Sequence, residues 1–283
     1  MKMVSSLINK INFYTEFKRW YLSILEDFDF DYQMDIKARD FLSQILRIKK
    51  NKWDLERNLI CIKDLIQSKK SILIYGCGPS LERSVSYIIN KLGIKIFKKW
   101  LNFTADGAIR LLRKNNIEVD GNFTDLDGIS KNDFRYSKFN IVHAHGDNIK
   151  KLKYFKKEIL LFNNIIPTSQ VEPIRDIVNP GGFTDGDRIL FFLKSFLLPE
   201  QSIYLIGMDF DRIVGKYSKL FMIKDEKASP IKVKKLIYAK NLIEWLASKI
   251  KNQIFLINSE VPSKILKKIS LAQFKKLILE QPD

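Results

Sequence analysis

A chain of 283 residues, 46% hydrophobic and 29% charged, can bury a full core and has an ordinary globular composition. Two cysteines, Cys61 and Cys77, exclude a disulfide framework or a Cys-x-x-Cys metal site and make a reducing compartment the expectation. The formal net charge of +17 favours polyanionic partners (nucleic acid, an anionic membrane or a phosphorylated substrate), although much of it is lysine on faces of predicted helices.

Residues 1–68 read as a helical N-terminal region, and 69–283 as an α/β domain with C-terminal helices. Near the N-terminus, Lys10, Glu16, Lys18 and Arg19 interrupt any apolar signal core. Leu55, Leu59, Ile62 and Ile66 recur at helical spacing and lead to Lys69 and Lys70 at a plausible helix end. Trp20, Tyr21 and Trp53 read as packing residues, and no chemistry is legible in this region.

At Ser71 the texture changes. Ser71–Tyr75 is a short β-rich run, followed by Gly76-Cys77-Gly78-Pro79-Ser80 and a helical pattern through Val85, Ile88, Ile89 and Leu92. Strand, glycine loop and helix together aim backbone N–H groups at an anion, although the full Gly-x-Gly-x-x-Gly fingerprint is absent. Cys77, with no histidine near it in sequence, reads as a small loop residue. The alternation repeats through strands at Trp100–Phe103, Val119–Thr124, Phe139–Ala144, Ser202–Ile206 and a last one at Ile254–Ile257. It predicts a doubly wound, mostly parallel, Rossmann-like α/β sheet with helices on both faces.

Acidic residues gather where these strands end. Ala105-Asp106-Gly107-Ala108, Thr124-Asp125-Leu126-Asp127-Gly128, His143-Ala144-His145-Gly146-Asp147-Asn148 and Gly181-Gly182-Phe183-Thr184-Asp185-Gly186-Asp187-Arg188 each set carboxylates beside glycine. Asp-Gly pairs also make ordinary turns, but four such sites in one chain weigh against that reading. Crowded carboxylates repel unless a cation joins them, and hard oxygen donors suit Mg²⁺ shared with substrate phosphates. The position agrees with the rule that open α/β sheets bind ligands beyond the carboxyl ends of their strands. His143 and His145 share one strand face; with no third histidine they make a poor zinc centre and read instead as contacts to phosphate or to Asp147. The most apolar window, Ile189–Leu198, contains Lys194 and is too short to span a bilayer. Solubility, a cytoplasmic location and no membrane partner are expected.

Taken in order from Gly76-Cys77-Gly78-Pro79-Ser80 to Gly207-Met208-Asp209-Phe210, these motifs resemble the archaeal 6-hydroxymethyl-7,8-dihydropterin pyrophosphokinases from about Ser71 to Asp211. More distantly they look like thiamine pyrophosphokinase. The resemblance implies a thiamine-pyrophosphokinase-like fold and a Mg²⁺-dependent transfer of diphosphate from ATP to the pterin, releasing AMP, in folate- or tetrahydromethanopterin-type cofactor synthesis. It places metal ligands at Asp106, Asp125, Asp127 and Asp147, and catalytic groups at Asp125, Asp127, Asp147 and Arg188. The nucleotide- and substrate-binding set is Gly76, Gly78, Ser80, Asp106, His143, His145, Asn148, Gly181, Gly182, Thr184, Asp185 and Asp187. Asp147 is assigned the hydroxyl proton. Arg188 stays open between stabilising transferred charge and pairing within its helix. Two rival readings stand beside this one: a glycosylation-associated transferase of a related bacterial branch, and a non-enzymatic nucleic-acid binder. The second is disfavoured because the basic residues do not alternate with aromatics in an RNA-binding pattern. A homodimer is left open.

Overall fold

The structure, a computed structural model, describes residues 7–49 and 52–280. Helices α1 (Leu7–Ile11), α2 (Tyr14–Phe28), α3 (Tyr32–Arg47) and α4 (Leu55–Gln67) come first. Then β1 (Ser71–Tyr75), α5 (Ser80–Leu92), β2 (Leu101–Ala105), α6 (Ile109–Lys114), β3 (Val119–Thr124), α7 (Lys131–Phe134), β4 (Ser137–Ala144), α8 (Ile149–Tyr154), α9 (Lys156–Leu161) and β5 (Ile165–Ser169) follow. The chain continues through α10 (Asp185–Leu193), β6 (Ser202–Ile206), the short pair β7 (Ile213–Val214) and β8 (Glu226–Lys227), and α11 (Pro230–Ala247). It closes with β9 (Gln253–Ile257), β10 (Lys267–Ile269) and α12 (Leu271–Leu279).

The main sheet of the described residues runs β10-β9-β6-β1-β2-β3-β4-β5, and every neighbouring pair is parallel. The α/β class and the helical N-terminal region are as the sequence leads one to expect. After β1 the chain builds outward on one side to β5, then crosses back so that β6 lies on the other side of β1. The topological switch point therefore falls between β1 and β6, where a crevice opens at the carboxyl ends of the strands. The strand expected to be last, at Ile254–Ile257, is followed by β10. Three residues carry too little periodicity to read, and two of them, Lys267 and Lys268, are exposed. Lysines on a short edge strand keep the open edge from pairing with another chain.

Strands β1, β2, β3 and the edge strand β5 are buried along their whole length, as parallel strands covered on both faces must be. One face packs under α1, α2, α4, α10 and α11, around Ile74, Phe103, Phe123 and Phe192. The other packs under α3, α5, α6, α8, α9 and α12, around Tyr75, Val142 and Tyr204. Leu55, Leu59, Ile62 and Ile66 form the buried face of α4, whose first turn is capped by Asp54 accepting from the Arg57 N–H at 3.2 Å. On the same side the Phe123 and Phe192 rings meet edge to face at 5.3 Å; burial of one such ring stabilises by about 1.5–3 kcal/mol.

Candidate active site

A cavity of about 660 Å³ opens at the switch point, in the usual size range of ligand sites. Its floor is the pair of glycine loops after β1 and β6. The Gly76 N–H donates to the Ile206 carbonyl at 2.8 Å and the Gly78 N–H to the Gly207 carbonyl at 2.7 Å. Asp209 accepts from the Ser80 N–H at 2.8 Å and from its hydroxyl at 2.6 Å. A Cβ on Gly78 would lie 2.3 Å from the Asp209 carboxylate, so only glycine lets the loops close this far. The start of α5 is thus capped by the chain's own carboxylate: Gly76 and Gly78 line the cavity, and Ser80 sits behind the lining. Cys77 also lines it, but its thiol donates to the Ala105 carbonyl at 3.2 Å, and burial, with the nearby Asp106 charge, pushes it up to about 12.

Carboxylates from three segments meet above this floor. Asp106 after β2, Asp125 after β3 and Asp185 at the start of α10 each offer an oxygen within 4.8 Å of the other two. Asp106 and Leu126 hold left-handed backbone, with φ of 44° and 72°, a cost that tends to concentrate at functional sites. The Thr124 hydroxyl donates to Asp106 at 2.6 Å. Burial, then the charges of Asp125 and Asp185, push the Asp106 carboxyl well above its ordinary value. Burial and Asp125 likewise raise Asp185 to about 7, against the opposing Arg188. Burial works to raise Asp125 too, but the His145 hydrogen bond and charge, the Asp127 N–H and Arg188 outweigh it and hold Asp125 below the usual value. An all-oxygen cluster whose own charge is incompletely neutralised fits a hard divalent cation. Asp127 and Asp147 line the same cavity outside that cluster; Asp127 is half exposed and lies 3.4 Å from Lys151.

His143 and His145 leave β4 with rings stacked at 5.9 Å. His145 Nε2 reaches to 3.6 Å from Asp125. His143 is buried, bonded through Nδ1 to the Thr168 hydroxyl at 3.0 Å, and burial followed by the Arg188 charge holds it well below its ordinary value. Its Nε2 has no hydrogen-bond partner among the described residues. Asn148 ties the two loops together from beneath, donating to the carbonyls of Asp125 at 2.9 Å and His143 at 2.7 Å.

The Gly181-Gly182 turn runs at φ of 89° and 90° and delivers the chain into α10. Both glycines lie behind the lining, while Thr184, Asp185 and Arg188 face the cavity. Asp187 is spent on the helix start, accepting from the N–H groups of Phe183 and Thr184, both at 2.7 Å, and from the Thr184 hydroxyl at 2.5 Å. Arg188 is buried. It donates to Asp185 at 3.1 Å and to the Phe183 carbonyl at 2.8 Å, so the intrahelical pair forms, yet its Nε has no partner among the described residues.

The family model described as MptE-like, 6-hydroxymethylpterin diphosphokinase MptE-like, matches residues 44–214. The chain is 35% identical over 245 residues to the 6-hydroxymethyl-7,8-dihydropterin pyrophosphokinase of Methanocaldococcus jannaschii, covering 83% of this chain and 96% of the relative. It is 34% identical to the protein of that name in Pyrococcus furiosus (82% and 93% covered) and 35% to that in Methanothermobacter thermautotrophicus (81% and 92%). The chain belongs to the MptE-like diphosphokinase family. It is accordingly an enzyme, a diphosphokinase.

Within this diphosphokinase, several cavity residues escape a reading of the sequence. Phe30 enters from the connection between α2 and α3, Met34 and Asp35 from α3, Gln170 from the segment after β5, and Lys232 and Lys235 from α11. The lysines lie one turn apart behind Ser229, which caps α11 by accepting from the Lys232 N–H at 3.2 Å. That helix start is legible, but in so lysine-rich a chain nothing marks these two. Burial, then the Lys232 charge, lowers Lys235. Among the described residues no helix is long and apolar enough to cross a membrane.

Proposed function

We propose that this enzyme transfers diphosphate from ATP to 6-hydroxymethyl-7,8-dihydropterin, with Mg²⁺, and releases AMP. The observation that carries the reading is the meeting of Asp106, Asp125 and Asp185 at the mouth of a cavity also lined by Arg188, Lys232 and Lys235. The names of the archaeal relatives support the acceptor. In this reading Asp106, Asp125 and Asp185 hold the metal, and Asp127 and Asp147 complete the acidic rim. When bound, Mg²⁺ supplies charge neutralisation on the triphosphate. Lys232, Lys235 and Arg188 add positive charge fixed in place before substrate arrives, which is where most electrostatic stabilisation originates. Phe30, Met34 and Leu236 offer an apolar wall to a flat ring. The pterin hydroxymethyl oxygen attacks the β-phosphorus, its proton passes to Asp147, and the bond between the β-phosphorus and the oxygen bridging to the α-phosphate breaks with AMP as leaving group. Location in the cytoplasm and feeding of pterin-cofactor synthesis follow from this reading.

Incubation of the purified protein with ATP, Mg²⁺ and a panel of hydroxymethyl acceptors, thiamine included, tests it. AMP formation that requires the dihydropterin is expected. No AMP with the pterin, or AMP only with another acceptor, rejects the proposal.

A further inference from the structure

We propose that Asp35, on α3, is a positioning residue for this site, an inference that rests on the diphosphate-transfer reading. Asp35 is 4% exposed, and its carboxylate accepts from three separate parts of the chain. The Tyr21 hydroxyl donates at 2.6 Å, the Gln170 amide at 2.7 Å and the Gly146 N–H at 2.7 Å. Gly146 lies between His145, which faces Asp125, and Asp147, which lines the cavity. Gln170 lines the same cavity beside His143.

Burial of α3 does not explain an acid here. The helix already buries Ala38, Leu42, Ile45 and Leu46, so covering the sheet does not by itself call for a carboxylate at this position. What a carboxylate adds is two fixed acceptors with defined direction. One holds the N–H of Gly146, where the backbone comes so close that a Cβ would lie 2.7 Å from the Met34 Cβ. The other holds Gln170. Asp35 therefore sets the path of His145-Gly146-Asp147 relative to Asp125, and a shift of about 1 Å in such a loop is enough to cost roughly a hundredfold in rate. Tyr21 bonds the same carboxylate from α2 and does not line the cavity, so it separates stability from positioning.

The test compares Asp35→Ala, Asp35→Asn and Tyr21→Phe. Three quantities are measured in each: turnover with Michaelis constants, thermal midpoint, and Mn²⁺ affinity without substrate. Asp35→Ala is expected to lower kcat at least tenfold and to weaken Mn²⁺ binding. Asp35→Asn, which keeps one acceptor for Gly146, should recover part of both. Tyr21→Phe should lower the thermal midpoint while keeping kcat and Mn²⁺ affinity within about twofold. If Asp35→Ala does not fold, Asp35→Asn against Tyr21→Phe decides, with at least a threefold lower kcat expected in the former. Loss of kcat in step with thermal midpoint across the variants, or Asp35 variants as active as wild type, would overturn the inference. A wild-type protein that releases no AMP counts against the reaction instead, and the Mn²⁺ comparison still tests Asp35.

Discussion

Asp125 and Asp127 leave the same strand end but meet different surroundings. Asp125 faces Asp106, Asp185 and His145. The side chain of Asp127 is 52% exposed and pairs with Lys151. Asp125→Asn keeps the shape and removes a charge from the cluster; turnover is expected to fall at least a hundredfold, about 2.7 kcal/mol of transition-state stabilisation. Asp127→Asn should lose less. Steady-state rates over a Mg²⁺ series check the ranking, and an Asp125→Asn enzyme with normal turnover and Mg²⁺ dependence would remove the cluster from the mechanism. His143 makes a different prediction. Its folded-state value lies well below the ordinary one near 6.5, so below that pH the unfolded chain binds the proton more readily than the folded one. Stability present above about pH 6.5 is then lost as the pH falls, by up to about 1.4 kcal/mol per pH unit for this one group. Denaturant unfolding of wild type and His143→Gln at pH 7.5 and 5.5 measures it: wild type should lose more stability than the variant on the acid side. Equal losses would mean that His143 charges freely in the folded protein.

Helix α5 shows how one element joins fold to site. Its first turn is held by Asp209, which comes from the loop after β6 and accepts twice from Ser80. Burial raises the Asp209 carboxyl, and the Ser80 bonds oppose that rise. Asp209→Ala leaves a buried N–H and hydroxyl without partner and should cost about 1–3 kcal/mol of stability, read from urea denaturation. A variant as stable as wild type would show that the two loops hold together without this bridge. The neighbouring elements explain what could be read in advance. β1, β6 and β9 are apolar runs, as strands buried on both faces tend to be, and β1, β2, β3 and β6 each run directly into glycine or aspartate. β10 has no such run, being a short lysine-bearing edge. The Gly76-to-Ser80 loop was legible as a loop before a helix. That its N–H groups bond Ile206, Gly207 and Asp209 depends on a partner some 130 residues away, which no local pattern encodes.

At the scale of the molecule, a parallel sheet wound both ways from β1 brings the ends of β1, β2, β3, β4 and β6 around one cavity. This is why motifs spread from Gly76 to Asp209 were legible as one site: all but the stretch from Gly181 to Arg188, which opens α10, sit at the end of a strand, and the topology puts strand ends together. The wall supplied by α3, the turn before it and α11 was not legible. Asp35 and Lys235 belong to helices whose sequence reports only their buried faces, and their reach into the cavity is set by how those helices cross the sheet. The positive charge concentrated at the cavity through Arg188, Lys232 and Lys235 agrees with a polyphosphate substrate. The position of bond cleavage tests the account most directly. With ATP labelled at the β-phosphorus, the account predicts labelled pterin diphosphate and unlabelled AMP in equal amounts. Label retained in ADP, with the pterin carrying a single phosphate, would contradict it.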